Sequence, residues 1–487
     1  MHRSPSPGTD QKQLLRRELG VWDLLLFNIA AVLGPRWIAA AAHNGTSSIS
    51  LWMLAAVFFF VPTALVIVEL STRYPHEGGV YAWTKEAFGD FHGFVAGWCY
   101  WIYTFFYFPG LLLASVAMSV YIGGPDWAWL GNNRTYLVLA SLLLLAIAVL
   151  LNIVGLNVGK WLQNAGGVGT YIPLLILVVV AFLVYRQRGA ATAITAHNIW
   201  PVWNWSTVNF WAQIAFAFTG LELASAMSEE VKNPQKNFPR AIFGSGVLIA
   251  FIYIVGTIAV LLLLRPEEVN VHNGVFQAIS SGSTILGLTW LGIIAALLVT
   301  VGNAGGVGAT VAGVSRVPFV VGVDRYLPSW FGKLHPRWRT PHFAILLQAA
   351  ISATVLILSQ FYETVKGAYQ SLVDLAIIIY FVPFLYMYAS AIKLSYRSDR
   401  TARPGVVLIP GGRIGVWIAG VLGFAVTALS IGLALVPTVD VKSALAFELK
   451  VIGATLVSIL FGLVLYWRGA RKKIRSSEAP GSARSLQ

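Results

Sequence analysis

The chain has 487 residues, of which 57% are hydrophobic and only 11% charged, with a single cysteine, 46 Gly and 21 Pro. Soluble domains carry about 25% charged residues, so this composition excludes a soluble fold, and it excludes disorder on the same grounds. With a mean hydropathy of +0.71 and long continuous apolar runs, it reads as an all-α integral membrane protein with room for about twelve spans. A transmembrane barrel would show alternation over ten-residue segments instead. The net charge of +14 is read as basic loops on one membrane face, not as a nucleic-acid surface. Cys99 alone allows no internal disulfide.

In chain order, a polar, basic tail (residues 1–20) precedes spans over 21–42, 50–73, 91–122, 135–156 and 161–185. Further spans fall over 207–227, 240–264, 286–316, 342–360, 368–392, 413–436 and 447–467, followed by a basic tail at 468–487. The first apolar run is too long for a signal peptide and is read as a retained span. Gly78 to Phe88 reads as a short interfacial helix, and Asp324 to Pro341 as a Pro-rich connection. This divides the chain into five spans (21–185), a second five (207–392) and two additional ones (413–467). With the N-terminus placed inside, only Arg134, Arg186, Arg188, Arg265, Lys366, Lys442 and Lys450 fall outside, and Arg36 falls within a span. The rest of the 34 Lys and Arg fall on the inner side, which predicts a cytoplasmic-membrane protein with both termini cytoplasmic. Trp127, Trp129, Trp200, Trp203 and Trp205 fall in outer loops and read as interface anchors.

Two spans carry interruptions at matching places. Span one contains Ala31, Val32, Leu33, Gly34, Pro35, Arg36 and Trp37, where Pro35 removes a donor and disfavours helix at Gly34. Span six contains Phe216, Ala217, Phe218, Thr219, Gly220, Leu221 and Glu222. Interrupted spans in corresponding positions point to inverted repeats with a binding site between them. Unwound backbone in hydrocarbon needs a polar cavity. Half-helix N-termini suit a carboxylate and half-helix C-termini an ammonium group, so a zwitterionic amino acid matches both.

Arg36 near a span centre costs about 2.5–3.5 kcal/mol on insertion scales and needs a partner or a water-filled cavity. It would bind a carboxylate or pair with Glu222, which is the candidate for charge or proton exchange. A cationic substrate is disfavoured because like charges repel strongly at low dielectric. Asp23 reads as a helix-start acid, and Asp374 lies in the first turns of span ten. The eight His have no metal-ligand spacing. The Gly runs at 166–169 and 302–308 lack a Walker lysine and read as close helix contacts. No catalytic constellation, cofactor or metal is expected.

Several segments together resemble the amino acid–polyamine–organocation (APC) transporter superfamily. They are Glu69–Trp83 (ELSTRYPHEGGVYAW) with Ala87–Asp90 and Gly97–Trp98, Gly220–Glu222 with Glu229–Pro234 and Pro239–Ile242, and Arg316 with Asp324–Pro328 and Thr340–Pro341. The resemblance implies a LeuT-type fold of five plus five inverted repeats with helices 1 and 6 broken, and alternating-access transport of amino acids or related amines. Carried over by position, the substrate contacts would be Ala31, Val32, Leu33, Gly34, Arg36, Trp37, Phe216, Phe218, Thr219 and Gly220, with Phe218 a gating aromatic. Two departures stand out. Relatives carry Gly-Ser-Gly where this chain has Gly34-Pro35-Arg36, so Arg36 takes over part of carboxylate binding. Some proton-linked relatives have a mid-span-five Lys at a position that falls near Thr170 in this chain, with Lys160 at the span's cytoplasmic end. The expected cargo is a neutral or acidic amino acid moved by symport or exchange, with a proton or no ion ahead of sodium as coupling ion. An organic-anion carrier, a non-transporting sensor and a membrane enzyme are the other readings.

Overall fold

The computed structural model describes residues 15–271, 273–359, 365–397, 405–435 and 444–478. Lys12, Lys442, His2, His272 and residues 479–487 lie outside these, as do the side chains of Lys366, Asp374 and Lys450. The chain is helical throughout its described core. The one β contact among the described residues is an isolated parallel bridge between Leu19 and Val231.

The elements follow the hydropathy. α1 (Val21–Val32) and α2 (Pro35–His43) form one interrupted crossing. α3 (Ser48–Ala55) runs through a π-turn at Ala56–Phe60 into α4 (Val61–Arg73). A short helix, α5 (Val80–Phe88), occupies the segment expected to lie at the interface. Long crossings follow in α6 (Asp90–Ser119), α7 (Arg134–Val154) and α8 (Leu156–Arg188). α9 (Trp205–Ala217) stops short and is continued by 3₁₀ turns at Leu223–Glu230. Then come α10 (Pro234–Leu263), α11 (Gly274–Ile285), α12 (Trp290–Val323), α13 (His342–Ser359), α14 (Val365–Leu394), α15 (Gly412–Ala434) and α16 (Ala444–Glu478).

Eleven helical stretches among the described residues are long and apolar enough to cross a membrane. The expected span over 207–227 is not one of them, because α9 ends at Ala217 and the chain leaves as 3₁₀ turns. The break there is deeper than Gly220 alone suggested. Helix α11 was not anticipated. Its sequence, GVFQAISSGSTI, mixes apolar and small polar residues and lacks a span's continuous hydropathy.

The tightest packing joins α8 to α12, and glycines make it possible. A Cβ on Gly166 would lie 2.4 Å from the Gly305 Cα, and one on Gly169 would lie 2.9 Å from the Gly302 nitrogen. α1 is wedged onto the same pair: Cβ atoms on Gly167 and Gly306 would meet the carbonyl oxygens of Leu26 and Ala30 at 2.5 and 2.8 Å. The two Gly runs therefore serve backbone-to-backbone contact, as small residues do in lipid. Asp23 fills the helix-start role: its carboxylate accepts from the Gly20 N–H (2.9 Å) and from Asn164 Nδ2 (2.9 Å), with Lys160 at 3.8 Å. Trp127, Trp129, Trp200, Trp203 and Trp205 are all more than half exposed.

Candidate substrate site at two broken helices

Leu33 and Gly34 adopt extended backbone (φ −74°, ψ 108° and φ −114°, ψ 116°) between α1 and α2. Pro35 occupies the first position of α2, where its missing N–H costs nothing and its fixed φ suits a helix start. The second interruption runs from Phe218 to Glu222, with Gly220 at φ +117°. A side chain at Gly220 would be strained by that φ and would press on Val32 Cγ2 at 3.1 Å. The two interruptions thus touch.

One hydroxyl ties them together. Tyr253 on α10 accepts from the Gly34 N–H (3.2 Å), and its Oη lies 2.7 Å from the Val32 carbonyl and 3.0 Å from that of Ala217, its proton serving one or the other. Its ring is held by Trp52, stacked at 4.3 Å, and by Phe218, edge-on at 5.3 Å. Orphan backbone groups from both breaks are therefore paired inside the bundle, which the lack of water in hydrocarbon requires.

Two cavities flank the breaks and share a wall of Ala31, Val32, Trp37 and Tyr107. The first adds Leu33, Gly34, Pro35, Arg36, Thr170 and Asn303; the second adds Phe216, Ala217, Thr219, Gly220, Tyr103, Thr310 and Tyr380. Each measures about 20 Å³, room for a water molecule but not for an amino acid. This conformation is closed, and loading requires the walls to part.

Arg36 is 8% exposed and lines the first cavity at the N-terminal end of α2. Its Nη2 donates to the Tyr107 hydroxyl (3.2 Å), and its guanidinium lies 4.7 Å from the Trp37 ring and 5.4 Å from the Tyr107 ring. Aromatic faces compensate part of the desolvation of a buried cation. The positive end of α2 and the guanidinium therefore converge on one small space, the arrangement that favours an anionic group. Thr170 lines the same cavity as Arg36.

Glu222 is 1% exposed and closes the second break. One oxygen accepts from the Gly220 N–H (3.0 Å), and the other accepts from the hydroxyls of Tyr100 (3.0 Å) and Tyr380. Tyr103 stacks on Tyr380 at 4.1 Å. A carboxyl held by three donors has exchangeable partners on two other helices. These tyrosines and Tyr253 were missed in the sequence. A hydroxylated aromatic in an apolar span carries no spacing signature, and only the fold brings these four onto the breaks.

The sequence-derived contacts largely gather here. Ala31, Val32, Leu33, Gly34, Arg36, Trp37, Phe216, Thr219 and Gly220 all line one or both cavities. Phe218 does not. It is fully buried against Phe60 (4.4 Å), Trp52 (5.2 Å) and Tyr253, while Phe216 faces the cavity, edge-on to Trp37 at 5.8 Å.

The chain before α1 pairs with the exit of the second broken helix: the amides of Glu18 and Leu19 donate to the Glu230 carbonyl (2.9 and 3.1 Å), and the Lys232 amide donates to that of Leu19 (2.9 Å). Beneath them, Arg316 grips Glu230 through Nε and Nη2, both at 3.1 Å, with the pair almost wholly buried. Glu77, in the loop before α5, accepts from the Glu229 amide (3.0 Å). Burial, then the neighbouring Glu230 and Glu229, push the Glu77 carboxyl well above the usual range, and Arg316 offsets part of this.

A many-spanned helical bundle with two broken helices facing one buried polar site is the architecture of a membrane transporter. A sequence profile described as amino acid permease matches residues 19–460; the chain belongs to the amino acid permease family within the APC superfamily. An uncharacterized transporter of Legionella pneumophila is 28% identical over 94% of this chain and 97% of its own length. The serine/threonine exchanger SteT of Bacillus subtilis is 28% identical over 71% of this chain and 77% of its own. A probable agmatine/putrescine antiporter, AguD, of Lactococcus lactis is 22% identical over 93% and 95%.

Proposed function

We propose that this permease carries a zwitterionic amino acid, neutral or acidic, across the cytoplasmic membrane by alternating access. It does so with both termini inside, and the two five-helix halves act as inverted repeats. Arg36 and the first turn of α2 receive the substrate carboxylate, and the carbonyls that end α9 receive its ammonium group. The observation that carries this reading is the convergence of a buried guanidinium and a helix N-terminus on a cavity at the helix breaks. Relatives named as a serine/threonine exchanger and a glutamate/serine transporter agree with such a cargo. The probable agmatine/putrescine antiporter carries amines by its name; here the cation in the cavity argues against a substrate lacking a carboxylate. Glu222 is the group that exchanges charge during the cycle, and transport requires no metal or organic cofactor. The chemistry is translocation and not catalysis.

The test is uptake into proteoliposomes of a panel of labelled amino acids, amines and carboxylates, with wild-type and Arg36→Ala protein. At least one neutral or acidic amino acid should accumulate, and Arg36→Ala should reduce its uptake at least tenfold. Equal uptake by both proteins refutes the carboxylate role. Preference for a carboxylate without an amino group refutes the zwitterion reading.

A further inference from the structure

Away from the breaks, the structure holds a much larger cavity of about 370 Å³. Its walls are apolar and rich in rings: Trp98, Trp101 and Phe105 of α6, Ile351 of α13, Phe461 of α16, and Phe331 of the connection between α12 and α13. α13 and α16 both pack on α6, and the cavity lies in the cleft between them. Its rim is open: Phe461 is 59% and Trp330 40% exposed. A cleft of this kind in a bilayer meets acyl chains, and an apolar cavity of this size takes an apolar guest.

The charge at one end of the cleft identifies the guest. The lining segments are flanked in sequence by exposed cations: Arg325 precedes Leu327, Lys333 follows Phe331, and Arg468 follows Leu465. Tyr326 stacks on Tyr466 at 5.1 Å, which brings the segments of Arg325 and Arg468 together. Basic residues at the membrane end of an apolar groove attract anionic headgroups.

We propose that this cleft is a binding site for an anionic phospholipid, with an acyl chain in the cavity and the headgroup phosphate among Arg325, Lys333 and Arg468. The cavity's own tryptophans supply the readout. Full-length protein in detergent is titrated with phosphatidylglycerol bearing brominated acyl chains, which quench nearby indoles, and with brominated phosphatidylcholine. Wild type should show a saturable quenching component that unlabelled phosphatidylglycerol displaces, with at least tenfold weaker half-saturation for phosphatidylcholine. Ile351→Phe with Ser458→Leu fills the cavity and should abolish that component while leaving the thermal unfolding midpoint unchanged. Arg325→Gln, Lys333→Gln and Arg468→Gln together should bring the two lipids to equal half-saturation. Should the filled variant not fold, displacement by unlabelled lipid in wild type still decides. Quenching that does not saturate, or equal half-saturation of the two lipids in wild type, overturns the proposal. So does a wild-type dimer that the filled variant converts to monomer, since a second copy of the chain would then occupy the cleft.

Discussion

Replacing Tyr253 by Phe isolates the contact that joins the two broken helices. The ring keeps its stacking on Trp52 at 4.3 Å and its edge contact with Phe218, so packing is preserved and only the hydroxyl is lost. That hydroxyl serves the Gly34 N–H and the carbonyls of Val32 and Ala217. An ordinary hydrogen bond is worth about 0.5–1.5 kcal/mol net, and a buried donor left unpaired costs about 1–3 kcal/mol. One accepted and one donated bond are lost together, which gives about 2–4 kcal/mol. If that energy holds the breaks in their binding geometry, substrate affinity falls about 30-fold or more, since 1.4 kcal/mol is a factor of ten. Tryptophan-monitored thermal unfolding, with and without the amino acid found in the uptake panel, measures both effects. Tyr253→Phe protein with wild-type midpoint and wild-type affinity refutes the reasoning.

Other perturbations separate the remaining parts. Glu222→Gln keeps the shape and an acceptor for Tyr100 and Tyr380 but removes the charge and turns an NH2 toward the Gly220 N–H; it should lower the unfolding midpoint and lose the pH dependence of uptake, measured between pH 5 and 8. Gly305→Leu forces a side chain into the Gly166 backbone, which even a Cβ would approach at 2.2 Å; overpacking of about 1–3 kcal/mol or more should sharply reduce the yield of monodisperse protein by gel filtration. Arg316→Ala leaves Glu230 buried without its bidentate partner, a loss of about 3–5 kcal/mol, read as a lower unfolding midpoint. Because the Glu77 carboxyl is raised in the folded protein, its contribution is favourable below the unfolded carboxyl range and is lost as pH rises through the raised value. Glu77→Gln should therefore unfold at a higher temperature than wild type at pH 8, with the gap closing as the pH is lowered toward 5.

The sequence carried the spans because continuous apolar runs leave little choice of structure in lipid. It carried the breaks because Pro35 cannot continue α1 and Gly220 supplies a backbone angle that other residues resist. The Gly runs were legible as contacts for the same reason that they lacked a phosphate-binding lysine. What failed was orientation at single-residue resolution. Phe216 and Phe218 are two positions apart, and where α9 unwinds, helical periodicity no longer says which ring faces the cavity. The hydroxyl bridge from Tyr253 was illegible too, because nothing local distinguishes it from other ring residues of α10. The second half of the sixth crossing read as helix from hydropathy, yet its Ser- and Glu-rich stretch folds as 3₁₀ turns fastened to the segment before α1.

The most direct measurement of the central claim is an electron cryomicroscopy map of the protein with its transported amino acid bound. The account predicts the carboxylate within hydrogen-bond distance of Arg36 and the first amides of α2, and the ammonium group against the carbonyls at the end of α9, with both helices interrupted. Density for the amino acid away from these breaks, or a continuous helix through Gly34 or Gly220, would contradict it.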